Sequence, residues 1–355
     1  MKAITSITSG PRESNFELLR IIAMFLVLGV HADFFSNGAP TAENFINNSN
    51  NAWVRTFFQS ATIVCVNVFI LISGWFGIKP KLKGFLNFFF QCLYFYLGIY
   101  IFELIFLDLP FSIIDLRRCF FFAPDSGWFV LAYTGLYLLS PILNSFVKNN
   151  SKTTLRNILI AFYLFQTYGW LGGAVSFLDS GYSTFSFIGL YLLARYLSIY
   201  RPIICKMGGV IYIISVLLLT GLFGIITIKD IQIQIYAYDN PLVICGAMGL
   251  ILWASMLKIK YNRIINWVSS SVFSVYLFHM SPFTGYYYGH IFKKIYNSFS
   301  GIECLGVMLI MIIIVFFISI ILDQPRKLLW KYISPKLFQH KSSINLFNSS
   351  FIQRR

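Results

Sequence analysis

Arg20 and His31 lie eleven residues apart inside one apolar run, Leu18 to Phe35. Neutral imidazole has the basicity to take a proton near pH 7, which suits a general base for an attacking hydroxyl. A guanidinium offers a fork of donors to phosphate or carboxylate, which suits the binding of an anionic donor. Eleven residues make about three helical turns, so the two side chains share a face roughly 16 Å apart along the axis. In a helix that crosses a bilayer, both would sit at membrane depth. Burial there is expensive, and the default reading of such residues is functional. The structural alternative for Arg20 is snorkelling to the headgroups.

The elements that must hold this pair read as membrane helices. The chain has 355 residues, of which 57% are hydrophobic and 12% charged, with 38 Phe and 21 Tyr; soluble domains run near 25% charged. Stretches of near-spanning length occur at about 16–36, 54–76, 85–107, 127–147, 155–173, 184–200, 207–228, 240–257, 267–289 and 302–322. The expectation is an all-α integral membrane protein, with about ten transmembrane helices in one bundle and both termini cytoplasmic. It comprises a single domain over 1–335 and a cytoplasmic tail over 336–355. No removable signal peptide is evident, so the first apolar segment is expected to stay as a signal anchor. With the N-terminus inside, 22 of the 28 Lys and Arg fall on the cytoplasmic side, a strong positive-inside signal. The net charge of +15 is thereby accounted for by topology, and no nucleic-acid partner is called for. Six scattered cysteines form no metal-ligand spacing, so no metal is expected.

Other polar residues within or beside the spans are candidates for the same chemistry. Asp33 and Glu103 are candidate orienting acids for the His31 imidazole, by the logic of base–orienter pairs; a structural partner for a buried cation is the alternative for Glu103. Ser73 and Gly74 would let a ligand or another backbone come close. Lys79 and Arg326 fall at the cytoplasmic mouth, where phosphates of a donor would sit, although Asp323-Gln324-Pro325-Arg326 also reads as a plain helix end. Trp128, Tyr276 and His279 are further candidate binding residues. Their structural alternatives are an interfacial belt residue, a packing residue and an interhelical hydrogen-bond donor.

The order of these pieces is similar to a known pattern. It comprises Arg20, ten residues, then His31; Phe69 followed by Ser73-Gly74-Trp75 at the end of the second span; and Trp128-Phe129 opening the fourth. Tyr276-Leu277-Phe278-His279 follows in the ninth, and Asp323-Gln324-Pro325 closes the last. The chain resembles acyltransferase family 3, the bacterial integral-membrane O-acyltransferases of surface polysaccharides, over about 15–330. Departures are Asp323 where Glu is usual, Trp75 where Phe is commoner, and Lys79 where Arg is expected. The resemblance implies transfer of an acyl group, usually acetyl, from cytoplasmic acyl-CoA to a sugar hydroxyl. The acceptor would be a cell-surface or exported polysaccharide or its lipid-linked precursor. His31 would be the essential histidine and Arg20 its paired arginine; the residues leave open whether His31 acts as a base only or is transiently acylated.

On that reading acetyl-CoA is a co-substrate and no cofactor is permanently bound. The setting is the bacterial cytoplasmic (inner) membrane, beside cell-envelope polysaccharide assembly proteins. The rival classes are a glycan polymerase or flippase and a small-solute transporter. The first is expected to show a long outer loop or more spans, and the second an internal repeat.

Overall fold

In the computed structural model, residues 13–121, 124–172 and 178–338 are described. Lys2, Arg12 and the tail beyond Phe338, which entered the charge count, lie outside them. The chain runs through α1 (Ser14–Ala32), α2 (Phe34–Asn37), α3 (Ala42–Asn47), α4 (Ser49–Thr62), α5 (Cys65–Phe76), α6 (Leu82–Phe106), α7 (Ile113–Phe121) and α8 (Pro124–Asn149). It continues through α9 (Lys152–Gly172), α10 (Thr184–Tyr200), α11 (Gly208–Ile228), α12 (Pro241–Met256), α13 (Arg263–Ser269), α14 (Val272–His279), α15 (Thr284–Ser298) and α16 (Gly301–Phe338). No strand occurs among the described residues. Among the described residues, six helical segments are long and apolar enough to cross a membrane, at Ser14–Asn37, Ser49–Phe76, Leu82–Phe106, Gly127–Asn149, Ile203–Ile228 and Gly301–Phe338; α10 and α12 are shorter apolar helices.

The bundle hides polar groups and shows apolar ones. Asn67, Glu103 and Asp323 are buried, while Ile302, Ile310, Phe317 and Ile321 of α16 are exposed. That arrangement suits a hydrocarbon solvent, which rewards internal pairing of polar groups. α1 runs through the middle, packed against α4, α5, α12, α13, α14, α15 and α16. Its first turn carries Glu17, favourable at the positive end of a helix.

Local sequence explains where the spans break. In α4 a ladder of hydroxyls bonds back along the helix. Thr56 Oγ1 donates to Ala52 O, Ser60 Oγ to Thr56 O and Thr62 Oγ1 to Phe58 O. Such back-bonding bends helices, and the β-branched run Thr62-Ile63-Val64 adds crowding; the helix is interrupted there before α5. At the end of α5, Gly77 takes the left-handed φ of 74°, and its N–H donates to Ser73 O and Gly74 O, a glycine helix stop.

Two expectations need correcting. The stretch 267–289 is not one span but α13, α14 and the start of α15. Ser269-Ser270-Ser271 offers side-chain partners to the backbone, as when Ser270 Oγ donates to Trp267 O. Further on, Ser281 Oγ accepts from the N–H groups of Phe283 and Thr284, around Pro282. The last helix does not stop at Asp323-Gln324-Pro325 either; it runs through Pro325 and Pro335 to Phe338. A proline inside a helix costs about 3 kcal/mol. Here Gln324 Nε2 donates to Ile320 O at 2.7 Å, and a buried ion pair lies beside Pro325.

Candidate active site

Arg20, Met24, Val27 and His31 form one stripe along α1, at helical spacing. Two cavities open along that stripe. The first, of about 390 Å³, is lined by Arg20, Ser73, Lys79, Phe88 and Tyr133 among others. The second, of about 480 Å³, is lined by Met24, Val27, His31, Trp128 and Tyr276, with further rings from Phe129, Tyr182, Tyr236, Tyr238 and Phe273. We call them the vestibule and the chamber.

The boundary between them crosses each helix within about one turn: Arg20 against Met24 on α1, Ser73 against Phe69 on α5, Tyr133 against Phe129 on α8. Rings fill it. Phe88 stacks on Phe273 at 5.2 Å between centroids, and Tyr133 on Phe129 at 5.9 Å. Offset stacking at such distances stabilises each pair by about 1 kcal/mol. A layer one ring deep thus separates a cationic space from an aromatic one.

In the vestibule, Arg20 is held by Glu17, with Nη1 to Oε1 at 2.7 Å. Glu17 is buried and also accepts from the Ser269 hydroxyl on α13. The guanidinium has five N–H donors, so this fixed pair leaves others for an anion. Ser73 Oγ donates to Phe69 O and lies 3.4 Å from the Tyr133 hydroxyl. Gly74 plays a different part from Ser73. A Cβ there would lie 2.6 Å from the Tyr191 carbonyl oxygen, so this glycine lets α5 and α10 touch backbone to backbone. The motif therefore divides: Ser73 faces the cavity and Gly74 the neighbouring helix.

In the chamber, His31 Nδ1 lies 3.2 Å from His279 Nε2. His279 is buried, and its Nδ1 lies 2.6 Å from Val275 O, one turn back on α14. Thus α14, a short helix interrupted on both sides by serine chemistry, brings the second imidazole to the first. Trp128 packs edge-on against Tyr182 at 4.4 Å and lies over Tyr238 at 6.0 Å. Gln59, which drew no attention in the sequence, is buried and lines the chamber, and its Oε1 has no partner among the described residues. Beside the chamber, in the loop ahead of α12, burial with Asp179 nearby pushes the Asp239 carboxyl up to about 6.

Several expected site residues lie elsewhere. Asp33 pairs with Arg55 at 2.7 Å, and Glu103 is buried in α6 and lines neither cavity; the polar side chain against His31 is His279. Arg326 is buried in an ion pair with Asp323, Nε to Oδ1 at 2.8 Å and Nη2 to Oδ2 at 3.0 Å, and its Nη1 donates to Asn87 Oδ1. It braces α16 against α6 and is absent from the vestibule lining.

The family model described as an acyltransferase domain matches residues 13–323, which includes every residue of both cavity linings. The chain belongs to acyltransferase family 3. It is an all-helical, multi-pass membrane protein and an enzyme that transfers acyl groups. No curated protein and no solved structure gives a match to the chain.

Proposed function

We propose that this acyltransferase is an O-acetyltransferase of a bacterial inner membrane. It would move an acyl group from cytoplasmic acyl-CoA to a sugar hydroxyl of a surface or exported polysaccharide, or of its lipid-linked precursor. The observation that carries the reading is the pairing of two unlike cavities along one stripe of α1, cationic around Arg20 and aromatic around His31. The positive-inside bias supports a cytoplasmic vestibule. CoA phosphates suit Arg20 and Lys79 there. A long, thin pantetheine arm suits the roughly 16 Å from Arg20 to His31. Flat, partly apolar sugar rings suit walls of Trp128, Tyr182 and Tyr238, since binding pockets pair aromatic surface with a few placed polar groups.

The chemistry balances without a further reactant. The sugar oxygen attacks the thioester carbonyl as its proton passes to His31 Nε2. The tetrahedral intermediate collapses, the C–S bond breaks, and the leaving thiolate takes the proton back from the imidazolium. On the chamber wall, Gln59 Oε1, an acceptor with no partner among the described residues, suits a donating hydroxyl of the sugar. Envelope polysaccharide assembly proteins are the partners such an activity would need.

The test is direct. Purified protein in lipid nanodiscs is given labelled acetyl-CoA with and without a membrane extract as acceptor source. Release of CoA that rises with acceptor supports the proposal. Folded protein that neither binds nor turns over acetyl-CoA, or any of several longer acyl-CoAs, would sink it.

A further inference from the structure

We infer that His279 is the positioning residue that fixes the tautomer of His31, an inference that rests on the transfer reading above. The argument follows the protons. A carbonyl oxygen only accepts, so His279 Nδ1, 2.6 Å from Val275 O, carries a hydrogen. Neutral imidazole has one, so His279 Nε2 presents a lone pair. That lone pair lies 3.2 Å from His31 Nδ1, which must then be the donor. His31 Nε2 is left as the unprotonated nitrogen of a side chain on the chamber wall, the form a general base needs.

The other assignment makes His279 an imidazolium that donates from both nitrogens. It would put a cation in a pocket where the nearby carboxylate, Asp33, is taken by Arg55. An uncompensated buried charge costs several kcal/mol. The groups packed round the pair agree with the assignment: the Val27 carbonyl, one turn back on α1, also accepts from the His31 ring. Tyr288 of α15 lies edge-on to the His279 ring at 5.1 Å but donates its hydroxyl to Leu28 O. Tyr276 shares α14 with its ring 6.3 Å away, and Phe35 lies edge-on to His31 at 5.3 Å. The orienter is thus a neutral acceptor where many bases have a carboxylate. It holds the His31 Nδ1–H without adding a charge.

Two readouts test this on the full chain in nanodiscs labelled with 15N-histidine. The His31 signals are assigned by their loss in His31→Ala. In the wild type near neutral pH, His31 should show a protonated Nδ1 and an unprotonated Nε2. His279→Gln keeps an acceptor atom near the Nε2 position and should keep both the tautomer and turnover within about tenfold. His279→Leu removes the acceptor. With the Val27 carbonyl left to hold the Nδ1–H alone, the share of Nε2–H on His31 should rise and kcat should fall well below that of the Gln variant, with the KM for acyl-CoA unchanged.

Nε2–H on His31 in the wild type would overturn the inference, as would Leu and Gln variants alike in tautomer and rate. So would a loss carried by KM alone. A wild type with the expected tautomer but no acyl-CoA turnover would instead overturn the transfer reading, and with it the role given to His279.

Discussion

The vestibule and the chamber share a helix stripe, yet they are built on opposite principles. In the vestibule a charge is kept in place by another charge, Arg20 by Glu17, and the guanidinium stays partly exposed. In the chamber the walls are rings, and the polar contact of its histidine is a neutral neighbour. Charge suits a ligand that can be recognised by its anions from many approaches. Shape and single hydrogen bonds suit a ligand whose orientation decides which hydroxyl reacts. On the transfer reading the contrast puts the donor on one side and the acceptor on the other, and substitutions on each side should move different kinetic constants.

The sharpest break comes at His31. On the transfer reading, His31→Ala removes the base and should lower kcat about 1,000-fold, within the range for lost general-base catalysis, while acetyl-CoA still binds. Binding and turnover are measured separately, by titration and by CoA release. Residual turnover near wild type would take His31 out of the mechanism.

Arg20→Lys should act on the other constant. Lysine keeps a positive charge beside Glu17 but loses the fork geometry. A charge-assisted hydrogen bond is worth about 1.5–3 kcal/mol, so the KM for acetyl-CoA should rise about tenfold with kcat little changed. With acetyl-pantetheine, which lacks the nucleotide phosphates, the wild type and Arg20→Lys should show the same KM when measured side by side. An equal effect on both donors would mean that Arg20 serves the fold and not the phosphates.

Arg20 and His31 were legible in the sequence because a 3.6-residue period by itself places them on one face of a helix. The family, too, was legible, from Arg20, His31, Ser73, Trp128 and the Asp323-Gln324-Pro325 end taken in order. The partners were not. His279 reaches His31 from the far end of the chain, and nothing in the Tyr276–His279 run says whether the imidazole meets a ligand or another imidazole. Gly74 could pack or bind, and only Tyr191 across the helix contact decides it for packing. Arg326 looked available to a ligand because Asn87 and Gln91, which complete its network with Asp323, lie on α6. The break on either side of α14 was signalled, by three serines and a Ser-Pro step, but the apolar count outweighed them.

The ring layer between the cavities is the next place to sharpen the contrast. Phe273→Ala removes one ring of the Phe88–Phe273 stack and should join the two spaces. If the layer closes round the donor arm and keeps water from the thioester, CoA release without acceptor should rise several-fold relative to transfer. An unchanged ratio would mean the layer is packing alone. Gln59→Leu gives a smaller effect, confined to the acceptor. Losing one neutral hydrogen bond costs about 1 kcal/mol, so the acceptor KM should rise about fivefold and the donor KM stay put.

The smallest effect concerns stability and isolates the loop behind the chamber. Asp239 sits next to Tyr238, which lines the chamber, and burial with Asp179 nearby raises its carboxyl from 3.8 to about 6. The folded state therefore binds this proton more tightly than the unfolded chain does. The resulting stabilisation is full below about pH 3.8 and is lost as pH rises through about 6; above that, a buried carboxylate is ionised at a cost. Asparagine carries no such charge at any pH. Asp239→Asn should raise Tm at pH 7.5, and the gain should shrink toward zero near pH 4. A gain of the same size at both pH values would place its cause in packing. A loss at pH 7.5 would show that the ionised carboxylate has a partner the loop needs, and would turn attention to what the chamber's rim binds.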